Sequence, residues 1–89
     1  MTIRKRVRAA GRVQGVFFRD SVRRAAVAAG VAGSAENLAD GTVEVVLEGP
    51  DEAVERLVEQ IRRGPGHAVV DRLDVEDEEP EGLQGFSVG

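Results

Sequence analysis

The 89-residue chain has no cysteine, tryptophan or tyrosine, and its one histidine is His67. The missing thiols exclude disulfides, thiolate metal sites and a cysteine nucleophile, and they suit a cytoplasmic protein. No apolar run is long enough for a membrane span, and Arg4-Lys5-Arg6 interrupts any signal-peptide pattern at the start. We therefore expect a cytoplasmic protein that does not associate with membranes.

Aromatic residues are also scarce, since Phe17, Phe18 and Phe86 are the only three. The apolar fraction is nevertheless 42%, so valine, alanine, leucine and isoleucine must build the core. A chain of this size can bury about two-thirds of its unfolded surface in one domain. We expect a single domain over residues 1–89, without room for a second domain or a large cofactor site.

Charge is unevenly distributed in a chain whose net charge is −4. Residues 1–24 carry eight basic side chains and one acidic one, a balance of +7, and residues 25–89 carry four basic and fifteen acidic ones, a balance of −11. The N-terminal part should therefore attract anions although the whole molecule is acidic. A solvated basic strand face would give the same skew, so the charges alone leave both interpretations open.

Hydrophobic periodicity predicts alternating strands and two amphipathic helices. Asp40-Gly41 favours a tight hairpin between the second and third strands. The predicted elements are strand 1 from Ile3 to Val13, helix 1 from Asp20 to Ala29, strand 2 from Val31 to Leu38, strand 3 from Thr42 to Glu48, helix 2 from Pro50 or Asp51 to the stop at Gly64, strand 4 from Ala68 to Glu76, and an optional short strand from Phe86 to Val88.

This element order, βαββαβ, predicts an α+β fold of the ferredoxin-like α/β sandwich kind. Right-handed crossovers give an antiparallel sheet of order 4-1-3-2 with both helices on one face. Strands 1 and 2 then run in parallel, so their C-terminal ends share one edge of the sheet. The loop from Gln14 to Phe18 and the side chain of Asn37 should meet at that edge.

The connection between strand 1 and helix 1 reads Gly11-Arg12-Val13-Gln14-Gly15-Val16-Phe17-Phe18-Arg19. Such a loop can direct backbone N–H groups at an anion, and Gly15 can adopt a positive φ. Arg19 adds a guanidinium that matches two phosphate oxygens. The spacing by itself favours an ordinary βα turn with a surface arginine, and Asn37 by itself favours a turn residue before the hairpin.

Two segments resemble the signatures of the acylphosphatase family. The first is Gly11 to Arg19, and the second is Gly33 to Asn37 followed by Asp40-Gly41-Thr42-Val43-Glu44. Glu48-Gly49-Pro50 and Gly64-Pro65 match further along, so the resemblance extends from about Val7 to Phe86. It implies a ferredoxin-like fold and a monomeric, metal-independent enzyme that hydrolyses acyl phosphates to a carboxylate and orthophosphate without a cofactor.

The resemblance also implies a role for each site residue. The loop Gln14, Gly15, Val16, Phe17 and Phe18 would bind the phosphate with Arg19, and Asn37 would orient the attacking water. Inorganic phosphate and sulfate are then expected to compete with the substrate. No general acid is required, because the leaving carboxylate belongs to an acid whose pKa is about 4.

The chain departs from the family pattern just before Asn37. Family members commonly have an aromatic and then a basic residue there, where this chain has Ser34-Ala35-Glu36. Ser34 should remove packing, and Glu36 places a negative charge beside the proposed anion site unless the strand pleat turns it away. We expect weaker phosphate binding than a basic residue would give.

Other interpretations stay open at this point. The fold class also includes RNA-binding domains, but those stack bases on sheet aromatics that this chain lacks, so no nucleic acid is expected. A non-catalytic module that binds acyl or carbamoyl phosphate is a second alternative, which the presence of Arg19 and Asn37 disfavours. We interpret His67 as an exposed loop residue rather than a base, and the acidic run from Glu76 to Glu81 as a solvated connection rather than a cation site.

Overall fold

The computed structural model describes residues 1–15 and 17–89. Each predicted boundary lies within two residues of the observed one, and the short closing strand is present. Neither helix in the described part of the chain is long and apolar enough to cross a membrane. The elements are β1 (Thr2–Arg12), α1 (Phe18–Ala28), β2 (Ala32–Asn37), β3 (Val43–Pro50), α2 (Asp51–Arg63), β4 (Val69–Glu78) and β5 (Phe86–Val88).

The strands form one sheet in the order β4-β1-β3-β2-β5. The predicted order of the first four strands is confirmed, and β5 adds a parallel neighbour to β2. Because β1 and β2 are each antiparallel to β3, they run in the same direction. Both therefore end at the same edge, called here the site edge, where the loop after β1 and the β2–β3 hairpin lie.

Both helices pack on one face of the sheet, as predicted. The buried residues of α1 and α2 are Phe18, Val22, Ala26, Val54, Leu57, Val58 and Ile61. They cover a sheet face whose fully buried residues include Val7, Ala9, Ala35, Val43, Val45 and Leu47. Ala29, the predicted last residue of helix 1, lies outside α1 and is exposed, because α1 ends at Ala28 and Gly30 turns the chain at φ 71°.

The opposite, open face of the sheet carries paired charges. Arg6 donates to Glu78 at 2.6 Å and to Glu44 at 2.7 Å, and Arg8 donates to Glu44 at 3.2 Å. These arginines account for part of the N-terminal positive charge that the sequence suggested would attract anions. Their charge is instead matched by acidic groups on neighbouring strands, where it favours strand pairing.

The acidic run from Glu76 to Glu81 is only in its second half, Glu79 to Glu81, the solvated connection that was predicted. Its first three residues complete β4, where Asp77 accepts from Lys5 at 2.5 Å and Glu78 accepts from Arg4 at 2.9 Å. The run extends β4 because basic residues of β1 lie opposite it. In the described ranges, no cluster of acidic and histidine side chains could hold a metal ion.

We expect the free energy of unfolding to fall in acid. Hydrogen bonds from Arg6 and Arg4 lower the pKa of Glu78, and backbone N–H donors, that of Glu81 foremost, lower the pKa of Glu48. Such carboxylates stabilise the fold above their unfolded pKa of about 4.3, and this stability is lost as the pH falls through the folded pKa. The melting temperature, followed by circular dichroism, should be level above about pH 5.5 and decline below about pH 4.3.

Glu78→Gln provides the control for this pH dependence. The variant should melt at a lower temperature at neutral pH, and its decline in acid should be shallower, because unfolding then takes up one proton fewer. Melting curves for Glu78→Gln that run parallel to the wild type throughout the acid range would contradict the assignment.

Candidate active site

A cleft of about 270 Å³ opens at the site edge, between the end of β1, the first turn of α1 and β5. Four of the predicted site residues share it, and Val16, also predicted to bind substrate, lies outside the described residues. The cleft is lined by Val13, Gly15, Phe17, Phe18, Arg19, Asp20 and Val88.

The loop backbone is left-handed at Gly15 (φ 73°) and at Phe17 (φ 61°). A Cβ at Gly15 would meet nothing within 4 Å, so glycine is favoured there for its positive φ rather than for space. Among the described residues, Phe17 is the one non-glycine residue with positive φ, which costs about 1–2 kcal/mol. Strain of this kind concentrates at ligand sites, and left-handed turns can direct successive N–H groups at an anion.

The start of α1 supplies further donors to the cleft. Phe17 is its N-cap and makes no side-chain capping bond, and the first intrahelical bond runs from the Ser21 N–H to the Phe17 carbonyl at 3.0 Å. The preceding N–H groups of the first turn therefore have no carbonyl partner within the helix. They carry the positive end of the helix dipole and suit an anion. Phe18 is only 1% exposed, so its ring packs in the core and does not serve as a surface contact for a ligand.

Arg19 extends from this first turn and donates from Nη1 to the main-chain carbonyl of Gly89. The N–H of Gly89 in turn donates to the carbonyl of Ala35 on β2 at 3.0 Å. The guanidinium is thus connected to β2 through one residue. Its Nε and Nη2 groups make no bond within the described part of the chain, which leaves two donors for an anion.

Gln14 connects the loop to the β2–β3 hairpin. Its Nε2 donates to the carbonyls of Leu38 and Thr42, each at 2.9 Å. Both amide hydrogens are therefore used within the protein, and the backbone N–H is the group of Gln14 that remains for an anion. This structural role was missed from the sequence, because the partner carbonyls lie 24 and 28 residues away.

Asn37 is the last residue of β2 and is exposed. It does not line the cleft, although it ends β2 at the same edge of the sheet. Its neighbour Leu38 is bonded to Gln14, and Ala35, two residues earlier, is bonded to Gly89, the partner of Arg19. The backbone on either side of Asn37 is thus bonded to Gln14 and to Gly89.

The pleat of β2 separates Glu36 from Asn37. Successive strand residues point to opposite faces, and Ala35 is fully buried on the helix face. Glu36 therefore shares the open face with Glu44, its partner across the strand pair. It still lies close to Gly89, since an ideal Cβ on that glycine would be 3.8 Å from its Oε2.

The open face differs from that of a sheet that stacks RNA bases. None of the aromatic rings in the described part of the chain lies on it, because Phe17 lines the cleft, Phe18 is buried and Phe86 packs against the core. Base stacking needs such rings on the sheet. His67 is exposed in the connection between α2 and β4, as predicted.

Comparison with known proteins gives consistent results over nearly the whole chain. The family model described as Acylphosphatase matches residues 5–88. An acylphosphatase of Gloeobacter violaceus is 52% identical over 86 residues, which are 97% of this chain and 92% of the relative. An acylphosphatase of Thermococcus kodakarensis is also 52% identical, over 97% of this chain and 94% of the relative. The crystal structure of an acylphosphatase from Bacillus subtilis matches with a TM-score of 0.93 and 36% identity, covering 100% of this chain and 99% of that one.

Proposed function

This chain belongs to the acylphosphatase family and hydrolyses acyl phosphates, and we propose that the reaction takes place in the cleft at the site edge. The observation that carries the proposal is the convergence of Arg19 with the uncapped first turn of α1 in one cleft. A guanidinium and helix-start amides together form a site suited to a phosphoryl dianion.

In this proposal the backbone N–H groups of Gln14, Gly15, Phe17 and Phe18 hold the phosphoryl oxygens. Arg19 binds two of these oxygens through its Nε and Nη2 groups, while Nη1 stays on the carbonyl of Gly89. The left-handed backbone at Gly15 and Phe17 supports this role, because it prepares the donors before the substrate binds.

The proposed chemistry is a direct displacement at phosphorus. Asn37 orients a water molecule, whose oxygen forms a bond to phosphorus while the bond from phosphorus to the acyl oxygen breaks. The electron pair of that bond leaves with the carboxylate, and a phosphoryl oxygen takes the proton of the water. Because a carboxylate is a good leaving group, positioning and charge stabilisation supply the catalysis.

The test is hydrolysis of benzoyl phosphate, followed in the ultraviolet with a chelator present. We expect turnover that inorganic phosphate and sulfate inhibit competitively, and phosphate-dependent NMR shifts at the amides of residues 14–19. Shifts confined to another part of the surface, or turnover lost in the chelator, would contradict the proposed site or its independence of metal.

We further propose that the chain acts as a monomer in the cytoplasm, on a small acyl phosphate rather than on nucleic acid or membranes. The paired charges of the open face support the exclusion of nucleic acid. Sedimentation equilibrium tests the monomeric state, which a stable dimer would contradict. Cell fractionation tests the cytoplasmic location, which a periplasmic pool would contradict.

Glu36→Arg should lower the KM for benzoyl phosphate by about two- to fivefold. Two unit charges about 10 Å apart interact by about 0.4 kcal/mol in water, so reversing one charge near a phosphoryl dianion has a modest effect that salt screens. The measurement is KM at low and high ionic strength. Glu52→Arg is the control, because it makes the same charge change at an exposed position on α2. An unaltered KM for Glu36→Arg would refute the expectation.

A further inference from the structure

The segment that joins β4 to β5, residues 79–85, is called here the crossover. β4 and β5 are the two edge strands of the sheet, so the crossover must pass three intervening strands. Four strand spacings amount to about 19 Å, and the eight peptide links from Glu78 to Phe86 reach at most about 28 Å. The crossover has no regular secondary structure, so its course depends on side-chain contacts.

Glu48 on β3 provides that contact. Its carboxylate accepts hydrogen bonds from the backbone N–H groups of Glu81 at 2.9 Å, Gly82 at 2.7 Å and Leu83 at 2.9 Å. Arg4 adds a fourth bond at 3.2 Å. One carboxylate thus satisfies three consecutive amides of the crossover, an arrangement of N–H groups that binds anions.

This contact is buried, although it involves charged groups. Glu48 is 4% exposed and Arg4 6% exposed. Alternation along β3 places Glu48 on the open face, where the crossover covers it. A carboxylate that is removed from water in this way costs free energy unless all of its hydrogen bonds are made. The contact is therefore expected to hold the crossover in one course.

The chain that follows the crossover leads directly to Arg19. The carbonyl of Gly85 accepts from Gly33 at 2.9 Å, and β5 then pairs with β2 over only three residues before it reaches Gly89. The carbonyl of Gly89 accepts from Arg19. So short a strand has few hydrogen bonds of its own. The contact between Glu48 and the crossover restrains the chain just before β5 begins.

We propose that Glu48 is a positioning residue for the reaction: by holding the crossover it sets the course of β5, and through Gly89 the orientation of the Arg19 guanidinium. The proposal rests on the proposed role of Arg19 in phosphate binding. Glu48 lies at the edge of the sheet opposite the site edge, because it pairs with Arg4 near the start of β1. It therefore acts without touching substrate.

The test compares Glu48→Gln with Glu78→Gln. Both variants replace one oxygen of a carboxylate that accepts from Arg4 with an NH2 donor, but only the first places that donor against the N–H groups of the crossover. For Glu48→Gln we expect Kd for inorganic phosphate and KM for benzoyl phosphate to rise by about fivefold or more, with kcat within about threefold. Glu78→Gln should change Kd and KM less than twofold.

The decisive readout is the double variant. If Glu48 acts through Arg19, then Glu48→Gln should lower kcat/KM for benzoyl phosphate in the wild type but should not lower the residual kcat/KM in an Arg19→Ala background. Equal changes in both backgrounds, or an unchanged Kd in folded Glu48→Gln, would overturn the proposal. If the wild type bound no phosphate, or if Arg19→Ala bound phosphate as tightly as the wild type does, the proposed function would be contradicted instead.

Gly82→Ala tests the same contact if Glu48→Gln does not fold. Gly82 has a φ of 79°, and a Cβ there would meet nothing within 4 Å, so alanine strains the crossover backbone while the buried carboxylate remains. We expect faster hydrogen exchange of the β5 amides and a two- to threefold weaker phosphate Kd. Faster exchange with an unchanged Kd would overturn the positioning role.

Discussion

Arg19→Ala should lower kcat/KM for benzoyl phosphate by about 10³-fold and remove the competitive inhibition by inorganic phosphate. The guanidinium is the one fixed positive charge that lines the cleft in the described part of the chain. In the proposed site it binds the phosphoryl group in the ground state and stabilises it further as its charge is redistributed in the transition state. Binding and turnover should therefore be lost together.

Two further variants show whether this loss is specific. Arg24→Ala removes an exposed arginine of α1 that pairs with Asp20 at 2.8 Å, and it should leave kcat/KM within about twofold. Arg19→Lys keeps the charge but loses the two-pronged geometry, so it should recover only part of the activity. Retention of more than a tenth of the wild-type kcat/KM by Arg19→Ala would refute the assigned role.

Asn37→Ala should lower kcat by about 10²- to 10³-fold and leave the Kd for inorganic phosphate within about twofold. The carboxamide is proposed to orient the water rather than to bind the phosphoryl group, so its loss should affect turnover alone. Asn37 ends β2 at the site edge without lining the cleft, which supports this division of roles. Steady-state kinetics and a phosphate titration by NMR measure the two quantities separately.

Gln60→Ala is the matched control, because it removes an exposed carboxamide from α2, outside the cleft. Its kcat should equal that of the wild type. A kcat for Asn37→Ala near the wild-type value would show that another group orients the water. A phosphate Kd that weakens in parallel with kcat would instead indicate that Asn37 holds the phosphoryl group.

The three classes of variant are distinguishable by which quantity changes. Arg19→Ala should affect both the phosphate Kd and kcat, and Asn37→Ala should affect kcat alone. Glu48→Gln should affect mainly the phosphate Kd, and it should lower kcat/KM only while Arg19 is present. A general loss of stability would move all of these quantities in parallel, so the pattern separates site roles from structural ones.

The sequence alone was sufficient for the elements and their order, because each depends on residues close together in the chain. Apolar side chains at helical spacing, such as Val54, Val58 and Ile61, determined α2 and its buried face, and Asp40-Gly41 determined the hairpin. Together with the handedness of crossovers, these local patterns determined the sheet order. The motif around Arg19, by its resemblance to a family, also indicated the reaction.

Only the tertiary structure decided which partner each polar group takes. Gln14 is bonded to carbonyls of the hairpin, Arg19 to Gly89, and Glu48 to three amides of the crossover, over separations of 24 to 70 residues. Alternation along a strand predicts the face on which a residue lies but not what covers that face. Alternation thus places Glu48 on the polar face of β3, but only the folded chain shows that the crossover buries it and binds its carboxylate.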